Sequence, residues 1–303
     1  MIHVSIILVH FNTPQHTLEC LESLSACTTK RARVSILVID NGSKEPFVVP
    51  QKFANDNVTL LRSESNLGFT GGNNLGIYTA IEQHSSDYIL LLNNDTIVDP
   101  HFIDELIKSA EEHPDAGVLS PKIYFYPGNE YHKGYNKQMR GSVIWYGGAS
   151  VDRQHAAFFH RYVDEVDRGQ CASFSETEFV TGCAMFIKRE VLEKVGVLNK
   201  RYFLYLEDVD LSFRAKQAGY KLGVCPSAVI WHKNAGSADG VGSDTQTYYQ
   251  TSNKLLFATY FFNLKEWLPV LLQSAKLLFT GAPIEKQAII DAVANRFGKQ
   301  HLL

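Results

Sequence analysis

The chain has no long apolar run. Of its 303 residues 45% are hydrophobic, yet no uninterrupted stretch reaches the ~20 residues that a membrane-spanning helix needs. The stretch 255–278 comes nearest and is broken by Asn263, Lys265, Glu266 and Pro269. Cysteine is scarce: Cys20, Cys27, Cys171, Cys183 and Cys225, with no C-x-x-C pair. That excludes zinc ribbons and thioredoxin-like redox motifs and reads as reduced, mostly buried thiols in a cytoplasmic protein. Neither sign of charge dominates, with 29 Lys and Arg against 32 Asp and Glu. No Arg-rich arm or basic repeat appears, so nothing points to nucleic acid. A Walker P-loop is absent too, since no Gly-rich run closes in Gly-Lys-Ser/Thr. The apolar run 4–9 is too short for a signal-peptide core, lacks a basic leader and runs into His10 and Asn12. We expect it to be a buried strand instead.

What is present alternates between strand and helix in the first third. Strands are predicted over 4–9, 34–39, 58–61 and 88–92, with helices over 17–24 and from the Gly71-Gly72-Asn73-Asn74 run to about Gln83. Strands separated by helices argue for βαβ units and a mainly parallel sheet. The strand ends share a pattern: Phe11-Asn12, Asp40-Asn41, Asn66 and Asn94-Asp95 each follow an apolar run. In a parallel sheet they share one polar edge, which suits a nucleotide.

Further on, 102–112 reads as an amphipathic helix and 118–122 as an extended piece. Residues 127–178 read as long loops and antiparallel hairpins. Order is expected to return with an extended segment at 179–187, helices over 188–195 and 207–219, and short strands at 220–224 and 228–231 that lead to His232. Gly219 is the expected helix stop. From Lys254 onward there are six Lys or Arg and three Asp or Glu. This basic, apolar tail has two readings: docking on an anionic membrane face, or a helical hairpin packed on the core or in a homodimer interface.

Two acidic clusters stand where chemistry is usually done. Asn93-Asn94-Asp95-Thr96 ends the apolar strand 88–92, and Glu207-Asp208-Val209-Asp210 opens a helix. A strand-end carboxylate lies on the ligand-binding rim of an open α/β sheet. Glu207, Asp210 and Arg214 share a helix face, which makes Asp210–Arg214 an expected ion pair. Asp208 points elsewhere.

Together these blocks resemble glycosyltransferase family 2. They are 4–12, 38–43, 66–69, 72–76, 92–96, 181–185, 203–211, Arg214, 218–220 and His232. They come in family order across about residues 3–237, and are most similar to the bacterial rhamnosyltransferase-like branch. The resemblance implies an α/β GT-A fold, with a Rossmann-like mainly parallel sheet flanked by helices and a C-terminal helical extension. The expected division is a catalytic domain over 1–247, nucleotide-binding to about 120 and acceptor-side beyond, followed by a basic-apolar extension over 248–303.

The implied reaction is inverting, metal-dependent transfer of a sugar from a UDP- or dTDP-linked donor to a hydroxyl of a glycan or lipid-linked acceptor. Asp95 aligns with the metal-binding carboxylate of the family's D-x-D motif. Asn93 replaces its first acid, which makes the site less anionic. His232 aligns with a further ligand; imidazole suits Mn²⁺ better than Mg²⁺. Asp208 aligns with the general base, and Glu207 is the alternative. Asp40 is expected to accept the pyrimidine N3–H, between Phe11 and Asn12. Asn66, Gly68, Gly72, Asn73, Asn93 and Asn94 are expected along the donor. Trp145, Thr181, Gly182 and Cys183 are expected along the sugar or acceptor. The implied location is cytoplasmic, with peripheral contact to the inner membrane face through 254–303. Two alternatives stay open: a sugar-1-phosphate nucleotidyltransferase, and a non-catalytic nucleotide-sugar or glycan-binding module.

Overall fold

Strand β1 (Ile2–His10) sits at the middle of the sheet. With α1 (Pro14–Ser25), β2 (Ala32–Asn41), β3 (Val58–Ser63), α2 (Gly68–Glu82) and β4 (Tyr88–Asn93), it forms the predicted βαβ unit. The computed structural model describes residues 1–53, 57–132, 134–234 and 242–299. The four strands pair in parallel in the order β4–β1–β2–β3. The inner ones read as unbroken aliphatic runs because helices cover both faces. The chain leaves β1 toward β2 and returns through α2 to the other side of β1. The order therefore reverses between β1 and β4, and the crevice beyond their C-terminal ends is where such sheets bind ligands.

Two glycines set how closely α2 approaches the sheet. A Cβ on Gly76 would lie 2.5 Å from Ile7 Cγ2, and one on Gly72 would lie 2.9 Å from Val9 Cγ1. Gly72, expected beside the donor, is thus a packing glycine between helix and strand.

The second half extends the sheet. It contains β5 (Thr96–Val98), α3 (Phe102–Glu112), β6 (Ala116–Phe125), β7 (Val143–Tyr146), β8 (Ala149–Asp152), β9 (Ala157–His160), β10 (Glu165–Val166), β11 (Ser175–Glu176), β12 (Ala184–Lys188), α4 (Arg189–Val195), α5 (Glu207–Gln217) and β13 (Lys221–His232). Strand β12 lies antiparallel between β4 and β6. Strand β13 runs parallel to β6 and closes antiparallel on β5.

Three local readings change. The segment 179–187 is a strand only from Ala184. The two short strands expected at 220–224 and 228–231 are one, β13, with a register shift between Cys225 and Val229; a bulge there bends it without ending it. Strand β5 is three residues long and has no sequence period to reveal it.

The tail forms α6 (Asp244–Phe261), α7 (Leu264–Thr280) and α8 (Pro283–Val293). The expected boundary at 247/248 falls inside α6. Phe257 on that helix is fully buried and meets Phe158 and Phe213 edge-on, at centroid distances of 5.1 and 4.9 Å. Tyr249 stacks on Phe203 at 5.3 Å. Helix α6 therefore belongs to the core of the sheet domain. Among the described residues no helix is long and apolar enough to cross a membrane. Phe257→Ala should lower stability by about 3–5 kcal/mol in urea unfolding, with one transition covering sheet and tail. Two separate transitions would show instead that the tail folds apart.

Candidate active site

The crevice beyond β1 and β4 opens into a cavity of about 520 Å³. Asp95 and Asp208 both line it. Asp95 sits in the turn after β4, and its carbonyl accepts a hydrogen bond from Lys233 N at 3.0 Å. That bond ties the end of β13 to the turn and brings His232 beside it. His232 Nε2 lies 3.1 Å from Asp95 Oδ1, with both side chains nearly buried. Burial works against a charge on His232, while Cys183 and Asp95 favour it, and the net displacement is well upward. Burial also raises the Cys183 thiol. Trp145 packs its indole edge-to-face against His232 (4.5 Å) and His160 (4.7 Å).

The second acidic cluster begins α5, and the chain reaches it through an unusual turn. Tyr205 (φ 70°) and Leu206 (φ 67°) are consecutive left-handed residues, neither of them glycine. Each such conformation costs roughly 1–2 kcal/mol. Asn253 of α6 offsets that cost. Its buried amide donates to the carbonyls of Leu204 and Tyr205, both at 2.8 Å. On the other side of the turn Gly68 (φ 73°) lets α2 approach so closely that a Cβ there would lie 2.3 Å from the Phe203 carbonyl oxygen.

The turn presents Glu207 and Asp208 in different states. Asp208 Oδ2 accepts from Gly182 N at 2.7 Å and Oδ1 from Val209 N at 2.8 Å. Burial raises its pKa, and those N–H groups oppose the rise. Glu207 is 4% exposed, and its Oε2 has no hydrogen-bond partner among the described residues. Burial first, and the Asp208 charge second, push it well above the glutamate range. Asp208, which accepts two N–H bonds, is the member of the pair that ionises more readily. The expected structural ion pair is present: Arg214 Nε meets Asp210 Oδ2 at 2.6 Å.

Of the other predicted residues, Phe11, Asn66, Gly68, Asn73, Asn93, Asn94, Trp145, Thr181, Gly182 and Cys183 line the cavity. Some of their polar groups are already engaged. Asn94 Nδ2 donates to Thr13 and Thr17 of the α1 entry at 2.9 and 2.8 Å. Asn66 Oδ1 accepts from Gly68 N at 2.8 Å. Asn73 Nδ2 donates to the Phe69 carbonyl at 2.9 Å.

Asp40, Asn12 and Gly72 depart from expectation, since none of them lines the cavity. Asp40 is wholly buried; its carboxylate accepts from Ser43 N and Phe47 N, both at 3.0 Å, and pairs with Arg62. Burial opposes its ionisation, but the bonds from Phe47, Ser43 and Arg62 prevail and hold its pKa low. Asp40 thus holds the turn after β2. Asn12, exposed and left-handed (φ 54°), accepts from Lys44 N at 2.9 Å through its Oδ1, and its own N–H donates to Ser43 Oγ at 3.0 Å. It joins two turns at the rim.

The sequence reading missed several wall residues. Gln246 and Gln250 enter from α6, and Phe158, Phe179 and His160 from the hairpin region. Burial lowers the His160 pKa to about 4, so that imidazole is neutral at ordinary pH. Asn253 left no signal in the sequence, since it stands in the polar stretch Thr251-Ser252-Asn253-Lys254 ahead of the apolar run 255–258.

Solved structures with this shape identify the fold. A crystal structure of GalNAc-T7 with UDP, GalNAc and Mn²⁺ matches with a TM-score of 0.66 at 13% identity, covering 98% of this chain and 55% of that one. This chain therefore spans about half of that enzyme. Staphylococcus aureus TarS 1–349 in complex with UDP-GlcNAc matches at 0.58 and 15% identity, over 97% and 82%. The protein has the GT-A fold of glycosyltransferases. Its sequence gives the family: the chain belongs to glycosyl transferase family 2, whose profile matches residues 5–196. It is 29% identical over 272 residues to the N-acetylglucosaminyl-diphospho-decaprenol L-rhamnosyltransferase of Mycobacterium tuberculosis, over 85% of this chain and 82% of that protein. It is 22% identical to the low-salt glycan biosynthesis hexosyltransferase Agl10 of Haloferax volcanii, over 86% and 76%. The chain is a glycosyltransferase, and the nucleotidyltransferase and binding-module alternatives fall away.

Two expected outcomes follow from the acid cluster and its clamp. The folded protein holds the Glu207 proton more tightly than the unfolded chain does. Stability therefore falls as pH rises from the ordinary glutamate range through the raised folded value. Glu207→Gln should raise the melting temperature at neutral pH, with the gain vanishing below the ordinary glutamate range; a less stable variant at neutral pH contradicts this. Asn253→Leu should cut kcat about tenfold or more, since a misplaced group ~1 Å away can cost up to a hundredfold. Circular dichroism should report a folded protein, and donor KM should change little.

Proposed function

We propose that this enzyme transfers a sugar from a UDP- or dTDP-linked donor to a hydroxyl of a lipid-linked glycan, with inversion at the anomeric carbon. The carrying observation is that Asp95 and Asp208, from separate halves of the chain, line one cavity. Rhamnose as the sugar, and a diphosphate-linked lipid as the acceptor's carrier, are supported by the likeness to the mycobacterial rhamnosyltransferase.

The acceptor hydroxyl approaches Asp208, whose carboxylate takes the proton as the oxygen attacks the anomeric carbon. The new C–O bond forms on the face opposite the departing diphosphate, and the bonding pair of the breaking bond leaves with it. One displacement of this kind inverts the centre. Glu207, protonated, leaves Asp208 as the negative charge of the pair. Aromatic walls from Trp145, Phe158, Phe179 and Phe203 keep water from the donor. Phe11, on the cavity wall, would stack against the pyrimidine ring.

A divalent cation suits the first acidic cluster. One carboxylate and one imidazole stand 3.1 Å apart on the cavity wall, and no three candidate ligands converge among the described residues. Two protein donors, completed by diphosphate oxygens and water, are the sparse set Mg²⁺ favours, and the imidazole tilts the preference to Mn²⁺. Asp95 and His232 would hold the ion. When bound it neutralises charge on the leaving diphosphate.

Asp208→Asn should lower kcat by about 10²–10⁴-fold with donor KM nearly unchanged, measured as nucleoside diphosphate released from dTDP-rhamnose in the presence of a polyprenyl diphosphate-linked GlcNAc. Because burial raises the Asp208 pKa, activity should fall with decreasing pH along a limb above the ordinary carboxylate range. Product with retained anomeric configuration, or an Asp208→Asn enzyme within a few-fold of wild type, would sink the proposal.

A further inference from the structure

Helix α7 turns an apolar stripe outward. Leu264, Leu268, Leu272 and Phe279 are 79%, 51%, 63% and 83% exposed. At 3.6 residues per turn they lie along one side of the helix. Its buried side carries Val270, which packs into a small cluster with Leu255, Ala258 and Ile289. A soluble surface helix normally shows the reverse arrangement, with charge outward. Exposed apolar residues scattered singly need no explanation, but four aligned on one helix do.

The charges beside the stripe are of one sign. Lys265 and Lys276, both exposed, border it along one edge. The one acid of α7, Glu266, lies on the other side, caps the helix at Asn263 and meets Arg153 at 3.3 Å. Helix α7 itself carries no carboxylate on the stripe or beside it.

We infer that this face of α7 is a docking surface for an anionic lipid bilayer. The apolar stripe enters the acyl boundary while Lys265 and Lys276 stay level with the headgroups, the arrangement of an interfacial helix. A second copy of the chain fits less well. Two-fold pairing sets the same patch against itself, which brings lysines toward lysines with no acid to compensate. The surface also has a geometric consequence. Helix α6, which lends Gln246 and Gln250 to the cavity wall, leads into α7 through Phe262 and Asn263 and packs on it through Leu255 and Ala258 against Val270. A docked α7 thus holds the cavity close to the membrane. The docking rests on surface chemistry and stands apart from the assignment of donor and acceptor.

The test is co-sedimentation of the full chain with vesicles of phosphatidylcholine alone and of phosphatidylcholine mixed with phosphatidylglycerol. Wild type should bind the anionic vesicles at least about tenfold better and be released by high salt. Leu268→Ser with Phe279→Ser should weaken that binding by about tenfold or more. Lys265→Glu and Lys276→Glu should each weaken it about fivefold or more. All these side chains are exposed, and the variants should keep wild-type turnover on a water-soluble acceptor analogue, which separates failure of docking from failure of the proposed reaction. Wild type left in the supernatant with anionic vesicles, or variants that bind as well as wild type, overturns the inference. A solution dimer that Leu268→Ser with Phe279→Ser converts to monomer also overturns it and assigns the stripe to a second copy.

Discussion

The two hydrogen bonds from Asn253 to the carbonyls of Leu204 and Tyr205 hold the arrangement on which the rest of the site depends. They fix a turn whose backbone two side-chain-bearing residues would otherwise avoid. That turn sets the direction in which α5 starts, and with it the placement of Glu207 and Asp208. Strain of this kind persists only where surrounding structure over-determines it. Here Phe203, stacked on Tyr249 and pressed by Gly68, helps to do so. Helix α6 is therefore part of the framework that holds the cavity wall and not an appendage to it.

Burial then divides the labour among the acids. Glu207 and Asp208 are neighbours in sequence and share a wall of one cavity, yet only Asp208 is met by two backbone N–H groups. Those bonds favour its ionised form, whereas Glu207 Oε2 lacks a hydrogen-bond partner among the described residues and burial pushes its pKa well above the glutamate range. A buried pair with both members ionised would be costly. Asp95 stands in a different setting, 3.1 Å from the His232 imidazole. Three carboxyl groups around one cavity thus hold three electrostatic roles, set by what surrounds each.

The departure at Asn93 fits this economy of charge. With an amide where the family motif has its first acid, the rim near Asp95 carries one carboxylate beside His232. Asn94 turns its amide to Thr13 and Thr17 and so fastens the β4 turn to α1. The strand-end cluster is then partly chemistry and partly fastening, although its residues are adjacent.

The sequence by itself determined the parallel βαβ core, because short, largely aliphatic runs at 4–9, 34–39 and 88–92, separated by helical stretches, suit strands covered on both faces. It also determined the strand-end rim, the family, and the two acidic clusters, since short ordered motifs carry that information locally. Tertiary structure alone decided the rest. Asp40 and Gly72 look like site residues in the chain, but burial and close packing took them for the turn after β2 and for the α2–β1 contact. Gln246, Gln250 and Asn253 carry no motif, and reach the site because aromatic packing around Phe257 lays α6 against the sheet. Whether a carboxylate is charged, engaged or free depends on neighbours distant in sequence, and only the folded chain brings those neighbours together.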